Sequence, residues 1–119
     1  MIMNSNYKDI ITKAYIGFNE RNIDAVLSLM DINVRWPKAF EGDYVTGHEA
    51  VREYWTRQWS EINPKVVPAS IKQRPDGKID VEVDQLVKDM EGNVLFDGKV
   101  HHIYSIKDNM ILVMDVEMN

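Results

Sequence analysis

The second half of the chain alternates apolar and polar residues, which is the period of a β-strand with one buried face. Three turn signals divide this alternation after Pro64, namely Pro75-Asp76-Gly77, Glu91-Gly92 and Asp108-Asn109. Four strands joined by such short turns form an antiparallel meander, because tight turns connect neighbouring strands that run in opposite directions. One face of this sheet must be buried, and the first half of the chain has to supply its cover.

The lengths of the turns predict which residues share the buried face, since a shift of one residue moves every side chain to the other face. We assign three-residue loops to Pro75-Asp76-Gly77 and Lys107-Asp108-Asn109 and a two-residue turn to Glu91-Gly92, because the inner sets are then mainly apolar. The predicted inner residues are Val67, Ala69, Ile71, Ile79, Val81, Val83, Gln85, Val87, Phe96, Gly98, Val100, His102, Tyr104, Ile106, Leu112, Met114, Val116 and Met118.

The first half of the chain predicts three helices and one short strand. Apolar residues with a spacing of three to four indicate the amphipathic helices, and Asn22 is a suitable N-cap for the second of them. Pro64 limits the third helix, and Pro37 makes the strand an edge or irregular one. The predicted elements are helices over residues 7–18, about 23–30 and about 48–62, and a strand over residues 34–37.

Composition restricts the function. The 119 residues predict one domain, and 45% apolar and 28% charged residues are typical of a soluble globular protein. The net charge is −5 with no basic cluster, so we expect no nucleic acid partner. Cysteine is absent, which excludes disulfides and thiolate chemistry. Because the sequence has neither a signal peptide pattern nor a membrane span, we expect a cytoplasmic protein.

No metal or cofactor is predicted. His101 and His102 are adjacent, so on a strand they point to opposite faces and cannot bind one ion together, and His48 is far away in sequence. Residues 89–93 resemble part of a calcium loop but lack its twelve-residue spacing, so a hairpin turn is the better interpretation.

The order of elements carries a resemblance to a known superfamily. Phe18-Asn19 stands before the second helix, Gly47-x-x-Ala50-Val51 opens the third, and an antiparallel sheet follows. This arrangement resembles the nuclear transport factor 2-like superfamily, most of all its SnoaL-like and ketosteroid-isomerase-like members. The resemblance implies an α+β cone in which three helices pack on a curved antiparallel sheet. It also implies a mostly apolar pocket at one end and, often, a homodimer.

The residues that ketosteroid isomerases use are not retained here. Alignment on the resemblance puts Ala14 where those enzymes have a tyrosine, Trp36 at the catalytic aspartate and His102 at the protonated aspartic acid. We therefore expect no steroid isomerisation by that mechanism. Cyclase-like members pair a histidine with an acid, and only His102 could supply the histidine.

His102 is the candidate catalytic residue, since an imidazole can act as base or acid near neutral pH. The alternative is a core histidine whose ring nitrogens are satisfied by Gln85 or Tyr104. Asp115 would face His102 only if the last turn had two residues, which is the less favoured register. The predicted ligand pocket comprises Tyr15, Trp36, Trp55, Gln85, His102, Tyr104 and Met114.

Two classes of function remain open at this stage. The first is a proton-transfer enzyme of isomerase, cyclase or dehydratase type that acts on a small, mainly apolar molecule. The second is a non-catalytic ligand-binding or dimeric assembly module. A homodimer is predicted through the outer sheet face, which on this register has apolar residues at Leu86, Leu95, Ile103, Ile111 and Val113. Trp59 is predicted at the sheet edge or at an interface.

Overall fold

The computed structural model describes residues 6–38 and 41–118, and it is an α+β fold in which three helices cover one face of a curved six-stranded sheet. The strand order is β2-β1-β6-β5-β4-β3, so β2 and β3 are the two edges. In the described part of the chain, no helix is long and apolar enough to cross a membrane. The elements are α1 (Asn6–Asn19), α2 (Ile23–Leu27), β1 (Met30–Pro37), β2 (Tyr44–Thr46), α3 (His48–Glu61), β3 (Ile62–Gln73), β4 (Ile79–Asp89), β5 (Val94–Lys107) and β6 (Met110–Met118).

The sheet is mixed, whereas the sequence predicted a purely antiparallel one. β1 runs parallel to β6, with Met30 beside Ile111 and Arg35 beside Val113. The prediction was wrong because short-turn signals reveal only antiparallel neighbours, and a parallel partner comes from a distant part of the chain. The short strand β2 was not predicted either, and it pairs with β1 as a hairpin.

The second helix is shorter than predicted. Asn22 caps it as expected, since its side chain accepts a hydrogen bond from the Ala25 amide at 3.2 Å. The helix nevertheless ends at Leu27, and Met30 already belongs to β1. Met30 is fully buried there, so the apolar residue that the pattern assigned to the last helical turn is part of the sheet instead.

The predicted inner face is confirmed in the centre of the sheet. Cross-strand pairs join Val81 to His102, Val83 to Val100 and Tyr104 to Met114, and all six residues are buried. The loop at residues 75–77 also has the predicted form, with Gly77 at a φ of 89°. The concave face is therefore built by β4, β5 and β6, as the alternation indicates.

The edge strand β3 departs from the prediction. A register shift between Pro68 and Ser70 makes Ala69 an extra residue on this strand, which is a β-bulge. Before the bulge Val66 points inward, so Val67 is 45% exposed, and Val67 and Ala69 lie outside the core that was predicted for them. Ile71 packs against the core as predicted. A proline at the bulge removes a ladder donor, which an edge strand tolerates.

The last hairpin also carries a compensating irregularity. Asp108 and Asn109 form a two-residue turn with φ angles of 52° and 63°, not the predicted three-residue loop. A register shift then makes Leu112 an extra residue, so Met114 still lies opposite Tyr104. Ile111, predicted on the outer face, instead pairs with Ile106 and is fully buried in the core.

The hairpin at Glu91-Gly92 also differs from the prediction in turn length, and a register shift again offsets the difference. A longer loop replaces the predicted two-residue turn. The Asp89 amide donates to the Asn93 carbonyl at 2.9 Å, and the register of β4 against β5 shifts between Val87 and Lys88. Val87 still lies opposite Phe96, as the inner-face assignment requires.

Asn19 attaches the end of α1 to the edge strand. Its side-chain amide donates to the Val66 carbonyl at 2.7 Å and accepts from the Val66 amide at 3.0 Å. The helix is thereby held over the concave face, where Ile11, Ala14 and Tyr15 are buried.

We predict that Asn19→Ala lowers the free energy of unfolding by about 1–3 kcal/mol, because two backbone groups of Val66 lose their partners. Urea denaturation monitored by circular dichroism measures this change. Asn33→Ala is the matched control, since Asn33 is exposed and its side chain makes no hydrogen bond within residues 6–38 and 41–118. Equal stability of the two variants would contradict the role of Asn19.

Candidate functional site

A cavity opens at one end of the concave face, with a volume of about 130 Å³. Five of the seven predicted pocket residues line it, and the polar side chains on its wall include two glutamines, one imidazole and one phenol. Among the residues that the structure describes, no aspartate, glutamate, lysine or arginine lies on this wall. The wall comprises Phe18, Trp36, Pro37, Tyr54, Trp55, Gln58, Ile62, Pro64, Val66, Gln85, Val87, Phe96, Val100, His102, Met114, Val116 and Met118.

Tyr15 and Tyr104, the other two predicted pocket residues, lie deeper. They line a second, smaller cavity of about 30 Å³ between α1 and the sheet. His102 lines both cavities, together with Phe18, Trp36, Trp55 and Val66, so these five residues lie between the open cavity and the smaller one. The predicted pocket residues are therefore close together, but they form two layers.

The polar contact of His102 comes from α1. Its Nδ1 lies 2.7 Å from the Tyr15 hydroxyl oxygen, and the two rings stack with an interplanar angle of 10°. The hydroxyl oxygens of Tyr15 and Tyr104 are 2.9 Å apart. Sequence reasoning named Gln85 or Tyr104 as the partner of His102, and the position of Tyr15 on the helix face that covers β5 could not be read from strand alternation.

Burial keeps this group of side chains uncharged. It lowers the pKa of His102 to about 4, and the neighbouring His101 adds a smaller effect in the same direction. Burial also raises the pKa of both phenols, and for Tyr15 the nearby Tyr104 contributes further. The expectation that His102 titrates near neutrality is therefore wrong, and its imidazole is neutral at pH 7.

His102 has no acidic partner across the sheet. Val116 lies opposite it on β6, and Asp115 lies opposite Ile103 on the outer face. The Asp115 carboxylate accepts a hydrogen bond from the Tyr44 hydroxyl instead. The bulge at Leu112 cancels the effect of the two-residue turn, so the histidine–acid dyad of the alternative register does not form.

Aromatic side chains form one wall of the cavity and extend beyond it. Trp36 and Trp55 meet edge to face at 5.3 Å between centroids, and both line the cavity. Trp59 stacks on Trp55 and contacts Phe18, with the Arg21 guanidinium 5.0 Å above its ring. Trp59 thus continues the aromatic cluster outward, and it is not on the cavity wall.

Sequence reasoning missed several cavity residues, of which Tyr54 and Gln58 on α3 are the polar ones. The Gln58 amide donates to the Tyr54 hydroxyl at 2.9 Å. Gln58 follows Trp55 by three residues and therefore lies on the same side of α3, and a glutamine on that side was the available signal. Val116 and Met118 were correctly placed on the inner face, yet they are 41% and 64% exposed because they form the open rim.

The other two histidines have separate partners. His48 donates from Nε2 to the Met30 carbonyl at 2.9 Å, and His101 lies 2.7 Å from the Asp80 carboxylate on the outer face. Over residues 6–38 and 41–118, no three acidic or histidine side chains are grouped in a way that could hold a metal ion.

Solved structures with the same architecture support the fold. An NTF2-like protein of unknown function from Burkholderia pseudomallei K96243 is 18% identical, with 98% of this chain and 92% of that chain covered at a TM-score of 0.82. TerC, co-crystallized with polyporic acid, is 20% identical with the same coverages and TM-score. SalBIII, an epoxide hydrolase/cyclase-like enzyme of pyran ring formation in the polyether salinomycin, is 18% identical over 94% of this chain and 89% of that chain at 0.78.

No protein-family profile and no curated protein matches the sequence. The structural likeness confirms the predicted fold: the chain folds as an NTF2-like cone. The chemistry of the site has to be argued from its own residues.

We predict that His102 makes the folded protein less stable in mild acid. The unfolded chain takes up a proton as pH falls through about 6.5, whereas the folded protein does so only near a pKa of about 4. The free energy of unfolding should be unaffected by this residue above about pH 7 and fall by roughly 2–3 kcal/mol by pH 4.5. Urea denaturation at both pH values measures the loss.

His102→Gln is the control, because it removes the titrating ring and leaves the carboxylates, which contribute equally in both proteins. The wild type should lose more stability than the variant by the amount given above. Equal losses would show that the folded state protonates His102 at an ordinary pKa.

Proposed function

We propose that the chain binds a small, mainly apolar, uncharged molecule in the open cavity. The observation that carries the proposal is the composition of the wall, which combines aromatic and aliphatic side chains with a few amide and imidazole groups and, in the described residues, no charged group. Apolar pockets with a few convergent polar groups are typical of small-molecule sites. A charged ligand would lose hydration here without gaining a counter-ion.

The size of the cavity supports a compact ligand. Its volume of about 130 Å³ is smaller than the several hundred Å³ of a drug-sized site, and a cavity of about 150 Å³ is known to bind benzene. The exposed rim at Val116 and Met118 gives further apolar surface beyond this volume. We propose a ligand with one ring or a short fused system in the cavity and any larger part against the rim.

We propose that the protein acts on this ligand as an isomerase- or cyclase-type enzyme, with His102 as the residue that contacts the reacting part. Support comes from the neutral imidazole at the inner end of a mainly apolar cavity, where a hydrogen bond to a ligand is strengthened by the low polarity of its surroundings. A base with a pKa of about 4 is too weak for efficient proton removal at pH 7, so polarisation of a ligand oxygen is the favoured role.

A non-catalytic binding protein is the second candidate. The observation that favours it is the valine opposite His102, which leaves the imidazole without an acid. The two candidates differ in one measurement. His102→Phe removes the hydrogen-bond donor and should lower turnover of an identified substrate at least about 100-fold in the enzyme, whereas a binding protein has no turnover to lose.

We predict no measurable isomerisation of a 3-oxo-Δ5 steroid. That reaction needs a carboxylate to carry a proton between two carbons, and Trp36 stands where the resemblance would place it. A spectrophotometric assay of enone formation tests this. A rate that exceeds the buffer rate and falls in a Trp36→Phe variant would contradict the prediction.

Native mass spectrometry of the purified protein tests ligand binding. We expect it to detect small molecules retained by the protein. If none is retained, we expect acetophenone to bind, which NMR detects as chemical-shift changes at the cavity residues. Val116→Phe should weaken acetophenone binding at least about fivefold, because a larger side chain on the partly exposed rim obstructs the cavity.

Val94→Phe is the matched control, since Val94 is 57% exposed and does not line the cavity. The control should bind acetophenone like the wild type. Absence of both retained molecules and acetophenone binding would contradict the proposed function.

A homodimer through the outer sheet face belongs to the same proposal. Leu86 and Val113 on this face are half-buried and Leu95 is 56% exposed, while Ile111 no longer contributes. The face also carries the Lys99–Asp84 ion pair and the Asp80–His101 contact, so the proposed interface is partly polar. Light scattering at high micromolar concentration should give the mass of two chains, and the mass of one chain would contradict it.

A further inference from the structure

Three buried polar groups form a line that ends at the open cavity. The Tyr104 and Tyr15 hydroxyl oxygens are 2.9 Å apart, and the Tyr15 oxygen is 2.7 Å from Nδ1 of His102. Within the described residues, neither phenol has another hydrogen-bond partner, and the small cavity beside them is apolar. Nε2 of His102 also has no partner there, but it is not sealed off, since His102 lines the open cavity.

The number of protons decides how this line is oriented. Two phenols and one neutral imidazole carry three N–H or O–H protons, and the two contacts use two of them. If Tyr104 donates to Tyr15 and Tyr15 donates to Nδ1, the third proton is on Nε2. There it can form a hydrogen bond to an oxygen of water or of a ligand in the open cavity.

The other orientations leave a buried donor without an acceptor. If Nδ1 carries the proton and donates to Tyr15, then the O–H of either Tyr15 or Tyr104 has no partner. Both phenols are almost fully buried, with exposed fractions of 4% and 1%, so such a donor is costly. The penalty should favour the first orientation by at least about fivefold.

We propose that Tyr15, reinforced by Tyr104, fixes His102 in the Nε2–H tautomer, so that the cavity presents a hydrogen-bond donor and selects ligands with an oxygen acceptor such as a carbonyl group. This selection rests on the proposed binding function. Tyr15 and Tyr104 are positioning residues, because they act on the ligand only through His102. The same order of protons makes Nε2 a donor in the resting protein, not a base.

The tautomer can be measured without any ligand, by nitrogen-15 NMR of the imidazole at pH 7. The wild type should show a protonated Nε2 and an unprotonated Nδ1. Tyr15→Phe removes the donor to Nδ1 and should shift the signals toward a mixture of the two neutral tautomers. Tyr104→Phe leaves the Tyr15 hydroxyl with Nδ1 as its acceptor and should keep the wild-type pattern.

A wild type with a protonated Nδ1, or with similar amounts of both tautomers, would overturn the inference. So would an unchanged tautomer in Tyr15→Phe. Because these spectra report protonation at named nitrogens, they separate a positioning role from a purely structural one.

Ligand selection can be measured with two probes of nearly the same shape. Acetophenone has a carbonyl oxygen where α-methylstyrene has a methylene group. We expect the wild type to bind acetophenone about fivefold more tightly, which corresponds to one net hydrogen bond. His102→Phe keeps a ring but has no donor, so the two probes should bind it equally. His102→Gln, which retains an N–H donor, should keep part of the preference.

Equal binding of the two probes by the wild type would overturn the selection. If neither probe binds and the purified protein retains no small molecule, the proposed binding function is contradicted, while the NMR measurement still decides the tautomer. The two failures are therefore distinguishable.

Discussion

The contact between Tyr15 and His102 is the interaction on which the rest of the site depends, because it joins α1 to the middle of the sheet through a buried hydrogen bond. The apolar concave face requires a cover, and many helix orientations could provide one. A buried imidazole without a partner would be costly, so the orientation that supplies Tyr15 to Nδ1 is favoured over the others. Asn19 fixes the end of the same helix on the edge strand, and the two attachments together define where the cavity can open.

Burial also determines what the site can do chemically. A histidine near neutrality in solution would exchange protons readily, but here desolvation holds the imidazole neutral with a pKa of about 4. The phenols behind it resist ionisation for the same reason. The result is a mainly apolar wall with a neutral imidazole, and this differs from the paired acid and base that steroid isomerases use. An NTF2-like cone can therefore retain its pocket while the chemistry of that pocket changes completely.

The sequence predicted the centre of the fold better than its edges. Alternation assigned the inner face of β4 and β5 correctly because both are long strands paired on both sides, where a slip would bury charges. On β3 and in the hairpins after β4 and β5, bulges adjust the register, and a bulge has no reliable signature in one sequence. Gln85 and His102 were placed on the cavity for this reason. Met114 also lies there, but only because the bulge at Leu112 offsets the turn that is shorter than predicted.

The hydrogen-bond partner of His102 could not be predicted from the sequence, for a different physical reason. The direction of Tyr15 depends on how α1 rotates over the sheet, and helical periodicity gives only a broad stripe, not an angle. Asp115 shows the reverse case. The predicted three-residue turn was wrong and the structure has the two-residue turn that would place Asp115 opposite His102, yet the extra residue Leu112 restores the predicted face.

A bulge of this kind changes the backbone only locally, but it changes which face every later residue of the strand lies on. One residue at position 112 decides whether His102 faces an acid or Val116, and so whether this pocket holds a histidine–acid pair or a single neutral imidazole.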